Sequence, residues 1–256
     1  MHDRHSLPRA ALRVGWRFPA LCGWMILGLT WALTGFRLVG PVGQSWSIRT
    51  FARGLLSVCG VRLCAEADGP IPAPALLVGN HVSWLDIFVV HALQPVTFIA
   101  KSEIRSWPVI GTLVSASGTL FIERGNRAAM PRVIAQAVTR FGRHERVMFF
   151  PEGTTSDGST LLKFHSSLFV LAERQADLPV VPISIQYSSG RTAYVGDVTL
   201  LRSMVTILSG PAVEVRLRIQ PPLDLEDRRR QSLAEAARAR VALGLGLQPQ
   251  DSKADC

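Results

Sequence analysis

From residue 75 to residue 243, short apolar runs of strand length alternate with stretches whose apolar residues recur at helical spacing. This alternation limits the possible folds more than any other feature. The strand-like runs are Leu76–Gly79, Val96–Ala100, Thr119–Ile122, Val147–Phe150, Val180–Tyr187 and Val213–Ile219. Helical patterns fall between them at Ser83–Leu93, Trp107–Ala116, Ala128–Arg143, Ser166–Arg174 and Val198–Leu208, with a last one at Glu226–Leu243. Parallel strands need crossover connections, so the pattern predicts an α/β domain whose mostly parallel sheet is flanked by helices. Chemistry then belongs at the carboxyl ends of the strands.

The N-terminal quarter reads differently. Phe18 to Phe36 is a run of 19 residues without a charge, at the lower limit for crossing a bilayer core. Arg13 and Arg17 precede it and Arg37, Arg49 and Arg53 follow, so basic residues give no orientation. A second, more amphipathic stretch, Trp46 to Val61, suits the other arm of a helical hairpin lying in one leaflet; a single span and a buried core helix remain the alternatives. Trp16, Trp24, Trp31 and Trp46 suit a membrane interface. The Pro-rich stretch Gly69–Pro74 then predicts a boundary. The expected organisation is a membrane-associated helical segment over 1–68, an α/β domain over 69–245 and a disordered tail over 246–256.

A net charge of +9 favours an acidic partner. Aromatic residues do not interleave with the basic ones, and no zinc-finger, Walker A or dinucleotide fingerprint is present, which argues against nucleic acid. Cys22, Cys59, Cys64 and Cys256 have no paired spacing, so neither a disulfide framework nor a metal site is expected. The basic stretch at 226–243, with Arg228, Arg229, Arg230, Arg238 and Arg240, is either a docking face for an acidic carrier protein or anionic lipid, or a solvated surface.

Three strand ends carry unusual polar residues. After the first strand comes Asn80-His81-Val82-Ser83-Trp84-Leu85-Asp86, in which Asp86 can hold one imidazole nitrogen while the other accepts a proton. Five helical steps would point the two side chains apart, so His81 is expected on the turn before the helix and Asp86 one turn inside it. After Thr119–Ile122 comes Glu123-Arg124-Gly125, with a guanidinium suited to an anionic headgroup. After Val147–Phe150 comes Pro151-Glu152-Gly153-Thr154-Thr155-Ser156-Asp157-Gly158, a turn whose glycines bring backbone donors close to a ligand, with Glu152 a fixed acceptor. Taken singly these read as a helix cap, a charge cluster and a loop. Their succession on one sheet points to a site.

In order and spacing, Asn80-His81-x4-Asp86, Gly118-Thr119-Leu120-Phe121-Ile122-Glu123-Arg124, Phe150-Pro151-Glu152-Gly153-Thr154 and Val181-Pro182-Ile183 resemble the four motifs of the glycerolipid acyltransferases, over roughly residues 75–190. The type that the chain looks most like is the bacterial 1-acyl-glycerol-3-phosphate acyltransferases and their relatives. The resemblance implies that His81 is the general base, that Asp86 orients it, that the Arg124 stretch binds the acceptor headgroup, and that Glu152-Gly153-Thr154 shapes the same pocket. It also implies an N-terminal helical pair embedded in one leaflet. Two departures stand out: Glu123 replaces a common Asp, and Thr155-Ser156-Asp157-Gly158 stands where many lysophosphatidate enzymes carry a basic residue. The Thr/Ser-Ser-Asp-Gly continuation resembles the lyso-ornithine lipid acyltransferases.

The expected reaction is direct acyl transfer from an acyl-carrier protein or acyl-CoA thioester to the hydroxyl of a lysolipid acceptor, with no cofactor and no metal, at the cytoplasmic face of the bacterial inner membrane. No Gly-x-Ser-x-Gly elbow supports a serine nucleophile. Lys101 is the expected donor to the developing oxyanion, the alternative being a solvated lysine at a strand end. His91, His144 and His165 lie outside the motifs and read as surface or helix-packing residues. A thioesterase using the same pair, or a non-catalytic protein holding anionic lipid, are the competing classes.

Overall fold

The computed structural model describes residues 6–123 and 128–247. In chain order these form helices α1 (Ser6–Thr34) and α2 (Pro41–Val58), strands β1 (Val61–Ala67) and β2 (Ala75–Gly79), α3 (Asp86–Leu93), β3 (Thr97–Lys101), α4 (Ile110–Ala116), β4 (Leu120–Ile122), α5 (Met130–Gly142), β5 (Arg146–Phe149), α6 (Val170–Glu173), β6 (Val180–Tyr187), α7 (Leu200–Ser209), β7 (Val213–Ile219) and α8 (Arg230–Gly244). The strands make one seven-stranded sheet in the order β1-β7-β6-β2-β5-β3-β4. Neighbours run parallel except β6 and β7. This is the expected mostly parallel α/β sheet.

Two cores cover its faces, and β2 divides its side chains between them. Leu77 joins Met148, Ile183 and Leu217 under α1, α2, α3 and α7, while Leu76 and Val78 join Val147, Phe149 and Val180 under α5, α6 and α8. All five residues of β2 are buried, which is why its sequence is one apolar run rather than an alternating one. Next to the edge strand β1, β7 alternates buried and exposed along its whole length, Val213, Val215, Leu217 and Ile219 turning inward and Glu214, Arg216 and Arg218 turning to solvent.

The predicted boundary at residues 68–69 does not separate two units. β1 lies before it and pairs in parallel with β7 from Val61↔Val213 to Ala67↔Ile219, so the Pro-rich stretch joins two strands of one sheet. The sequence hides β1 because it is an edge strand: of its residues only Val61 is buried, and Arg62, Cys64 and Glu66 are exposed. The region before β1 is a pair of helices, α1 and α2. The Trp24 indole donates to the carbonyl of Phe51 at 3.0 Å and stacks on the Phe51 ring, and Ala52, Leu55, Leu56 and Leu21 enter the core. No described helix is long and apolar enough to cross a membrane. Arg17 is buried and donates to the carbonyls of Leu208 and Gly210 at 3.2 and 2.9 Å, with Arg13 reaching Ser209, so two guanidiniums of α1 grip the carboxyl end of α7.

The basic C-terminal stretch is also partly committed to the fold. Arg228 donates to the carbonyl of Leu178, Arg238 donates to those of Leu161 and Leu162, and Arg229 pairs with Asp227. Of the expected tail, residues 248–256 lie outside the described residues.

His91, on α3, is 4% exposed, and neither ring nitrogen has a hydrogen-bond partner among the described residues. Burial pushes its imidazole down to about 4 from the ordinary 6.5. Between those values the unfolded chain binds a proton that the native chain refuses. The unfolding free energy should therefore drop as pH falls from about 6.5 to about 4, by about 3 kcal/mol at full extent. Denaturant titrations at pH 7 and pH 4.5 should show a smaller pH-dependent loss for His91→Leu than for the native chain; equal losses would place the proton uptake elsewhere.

Candidate active site

The central strand β2 ends at Gly79, and the carbonyl of Ile183 on β6 lies so close that a Cβ at this position would stand 2.7 Å from it. Only glycine lets the two backbones keep this approach. Asn80 then replaces the lost ladder: its amide donates to the carbonyl of Ile185 at 2.8 Å, and its carbonyl accepts from the Ile185 N–H at 2.8 Å. The chain is thereby held against β6 while it turns out of the sheet, and His81 emerges at the carboxyl end of β2.

Asp86 is the first residue of α3, not one turn inside it, and its carboxylate explains the difference. Oδ2 accepts from the peptide N–H groups of Val82 and Ser83 at 2.7 and 3.0 Å, which keeps residues 82–85 in a turn rather than a helix. The same oxygen faces His81 Nδ1 at 2.8 Å. Oδ1 accepts from the Tyr187 hydroxyl at 2.7 Å. The side chain of Asp86 is wholly buried, whereas that of His81 is 21% exposed. With Nδ1 facing the carboxylate, Nε2 is the nitrogen left for a ligand's proton. Burial, then the charge of Asp86, pushes the Tyr187 phenol well above its ordinary range, so it stays a donor.

The imidazole lies flat on Phe150, with ring centroids 4.1 Å apart and planes 4° apart, and Phe150 in turn stacks on Phe98. The loop after Phe150 grips the main chain of His81. Glu152, 3% exposed, accepts from the His81 N–H at 2.7 Å through Oε1 and from the Leu162 N–H at 3.1 Å through Oε2. Burial raises its carboxyl group above the ordinary value, and those two N–H donors oppose the rise. On the other side, the Ser156 N–H donates to the His81 carbonyl at 2.8 Å. The Tyr194 N–H donates to the Val82 carbonyl, and the Thr155 hydroxyl donates to the Tyr194 carbonyl. Gly153 turns the loop at φ +67°, a left-handed conformation that favours glycine.

Of the residues singled out from sequence, His81, Asp86 and Glu152 come together, and Glu152 acts on the main chain of the histidine. Gly153 forms the turn beside it, and Thr154 is exposed on that turn. Lys101 is the last residue of β3 rather than a residue beyond it, and β5 stands between β3 and β2. Arg124 and Gly125 lie outside the described residues, after the edge strand β4. Sequence reasoning missed Tyr187, Tyr194 and the ring of Phe150. A signal existed: the chain has 2 tyrosines, Tyr187 closing β6 and Tyr194 following it within eight residues.

The acyltransferase family model matches residues 63–186 of the chain. The lyso-ornithine lipid O-acyltransferase of Pseudomonas aeruginosa is 34% identical over 250 residues, covering 92% of this chain and 95% of the relative. The 1-acyl-sn-glycerol-3-phosphate acyltransferase of Neisseria meningitidis serogroup B is 36% identical over 148 residues, 57% of this chain and 58% of the relative. In fold, the chain resembles the crystal structure of the 1-acyl-sn-glycerophosphate acyltransferase PlsC from Thermotoga maritima, with a TM-score of 0.67, 20% identity and coverage of 96% of this chain and 100% of that one.

Glu152 offers a direct test of how the loop is held. Both its partners are peptide N–H groups, which cannot reverse to accept, so the amide of Glu152→Gln must set its own N–H₂ against one of them. The variant should lose about 1–3 kcal/mol of unfolding free energy, the cost of a buried donor left unsatisfied. Unchanged denaturation would mean that these two bonds do not hold the loop.

Proposed function

The chain belongs to the acyltransferase family, and from that premise we propose that it transfers a fatty acyl group from an acyl thioester to the free hydroxyl of a lysolipid. The observation that carries this reading is the His81–Asp86 pair, seated at a strand end with one nitrogen held and the other turned outward. Nε2 of neutral His81 takes the proton of the lysolipid hydroxyl as that oxygen attacks the thioester carbonyl carbon. The tetrahedral species collapses, the carbon–sulfur bond breaks, and the leaving thiolate receives the proton from the imidazolium. The products are an ester and a free thiol, either acyl-carrier protein or coenzyme A. Asp86 stabilises the imidazolium and keeps the ring in the tautomer that presents a lone pair outward.

For the acceptor we favour a lyso-ornithine lipid over 1-acyl-glycerol-3-phosphate. The relative matched over nearly its whole length carries the former name. Asp157 supports it too: the carboxylate is exposed in the loop that grips His81, and the Ser159 hydroxyl and N–H hold its pKa below the usual carboxylate range. An anion there suits a headgroup with an ammonium and disfavours a phosphate.

A membrane surface is the proposed working place, at the cytoplasmic face of the bacterial inner membrane. Leu38 and Val42 are each 85% exposed and Trp46 68% exposed around the α1–α2 turn, with Ile26, Leu27 and Leu33 exposed on α1. Apolar side chains so placed suit burial among lipid chains without a crossing helix. Beneath the hairpin lies an apolar pocket, lined by Trp31, Phe36, Ile48, Phe51, Phe88 and Leu113 among others, and we assign it to a fatty acyl chain.

Three outcomes check this reading. His81→Ala should lose about 10²–10⁴-fold in turnover with fold and membrane binding intact; Asp86→Asn should lose nearly as much, and the double variant should resemble His81→Ala alone, since the two act as a unit. Purified protein given an acyl thioester and each lysolipid should acylate lyso-ornithine lipid at least as fast as lysophosphatidate, whereas release of free acid alone would identify a thioesterase. Replacing Leu38, Val42 and Trp46 together by Ser should weaken sedimentation with lipid vesicles while leaving the thermal unfolding profile in place.

A further inference from the structure

Among the groups that the reaction leaves unused, His91 lies closest to the proposed acyl pocket, because it is part of the wall. The ring is 4% exposed, lines the pocket, and has no hydrogen-bond partner on either nitrogen among the described residues. A neutral imidazole carries one donor and one acceptor, and burying both without partners is costly. Its contact with Phe98, edge to face at 86° with centroids 5.0 Å apart, can engage the N–H weakly at best, and the lone-pair nitrogen is left over.

The two serines in the same wall cannot answer it as donors. Ser47 donates to the carbonyl of Gly43 and Ser117 to that of Val114, each at 2.8 Å. A lone water would need two to four polar partners, and the wall is otherwise rich in aromatic and aliphatic side chains. A hydroxyl delivered on a hydrocarbon chain meets both demands, since the chain fills the apolar space and the hydroxyl both donates and accepts. A carbonyl only accepts, and an ionised group would have to be desolvated in an apolar pocket.

We propose that the pocket takes a fatty chain bearing a hydroxyl group and that His91 recognises that hydroxyl by hydrogen bonding. The inference rests on the acyl-pocket assignment made above. A row of rings ties the recognition point to the chemistry: His91 against Phe98, Phe98 against Phe150 at 5.9 Å, and Phe150 against His81 at 4.1 Å. Those steps keep His91 within the span of a long chain extended from the thioester at His81. His91 is thus a specificity residue: its effect falls on the choice between chains.

The test uses the full-length protein in lipid bilayers and a set of acyl-CoA thioesters of one chain length, unsubstituted or hydroxylated at successive positions. A second arm moves the same hydroxyl to the resident chain of the lysolipid, which tells a donor chain from an acceptor chain. One position in one arm should raise kcat/KM about tenfold over the unsubstituted chain, the effect of a single recovered hydrogen bond. That ratio should fall to about one in His91→Leu and persist in part in His91→Gln, which keeps a donor and an acceptor. In parallel, non-transferable thioether analogues are titrated by intrinsic tryptophan fluorescence, Trp31 lining the pocket. Tighter binding of one hydroxylated analogue, lost in His91→Leu, supports the proposal even without turnover, when only the acyl-transfer reading would fail. Equal rates and equal binding for all chains, or a preference that survives in His91→Leu, overturns it.

Discussion

The site depends on how one buried carboxylate is satisfied. Asp86 has no exposed surface, and a carboxylate there is tolerable only if its oxygens are met by donors. It collects four: two peptide N–H groups of the turn it caps, the imidazole Nδ1–H of His81, and the phenol of Tyr187 at the end of β6. Hydrogen bonds to a charged group each contribute about 1.5–3 kcal/mol, so the arrangement is firm as well as satisfied. One oxygen serves the imidazole and two main-chain groups together. The ring's orientation is therefore set by the backbone path from β2 into α3, with side-chain freedom a minor influence.

Around that carboxylate the fold adds a second layer of constraint, applied to the histidine's own peptide groups. Glu152 takes its N–H and Ser156 its carbonyl, both from the loop that leaves β5, while Asn80 ties the preceding residue to β6. Three adjacent strands of the sheet, β6, β2 and β5, thus each contribute a restraint at their carboxyl ends. These strands are adjacent because β2 is buried on both faces and has to lie in the middle.

How legible this was in the sequence follows from the range of the forces involved. The inner strands announced themselves, because burial on both faces leaves a continuous apolar run such as Leu76–Gly79. β1 did not, since an edge strand with one buried residue takes its identity from pairing with β7, far along the chain. The His81–Asp86 pair was visible as a motif, yet the start of α3 at Asp86 was not; helical periodicity says nothing about a side chain that competes for the first peptide N–H groups. Tyr187 was hidden because its partner is 101 residues away. His91 passed for a helix-packing residue, and only the three-dimensional packing reveals that its nitrogens have no partners.

The pairing of β1 with β7 also bears on how such a chain can be taken apart. The helical pair is threaded into the sheet: it is followed at once by an edge strand, that strand lies against the last strand of the chain, and α1 grips the end of α7 with Arg17. A module that can be exchanged in evolution or in the laboratory has a seam where few contacts cross, and here the seam is missing. The hairpin cannot be trimmed away or swapped as a cassette without uncovering the core that its Leu21, Ala52, Leu55 and Leu56 complete. A redesign of the hairpin must recode its outer surface while its inner face stays as it is.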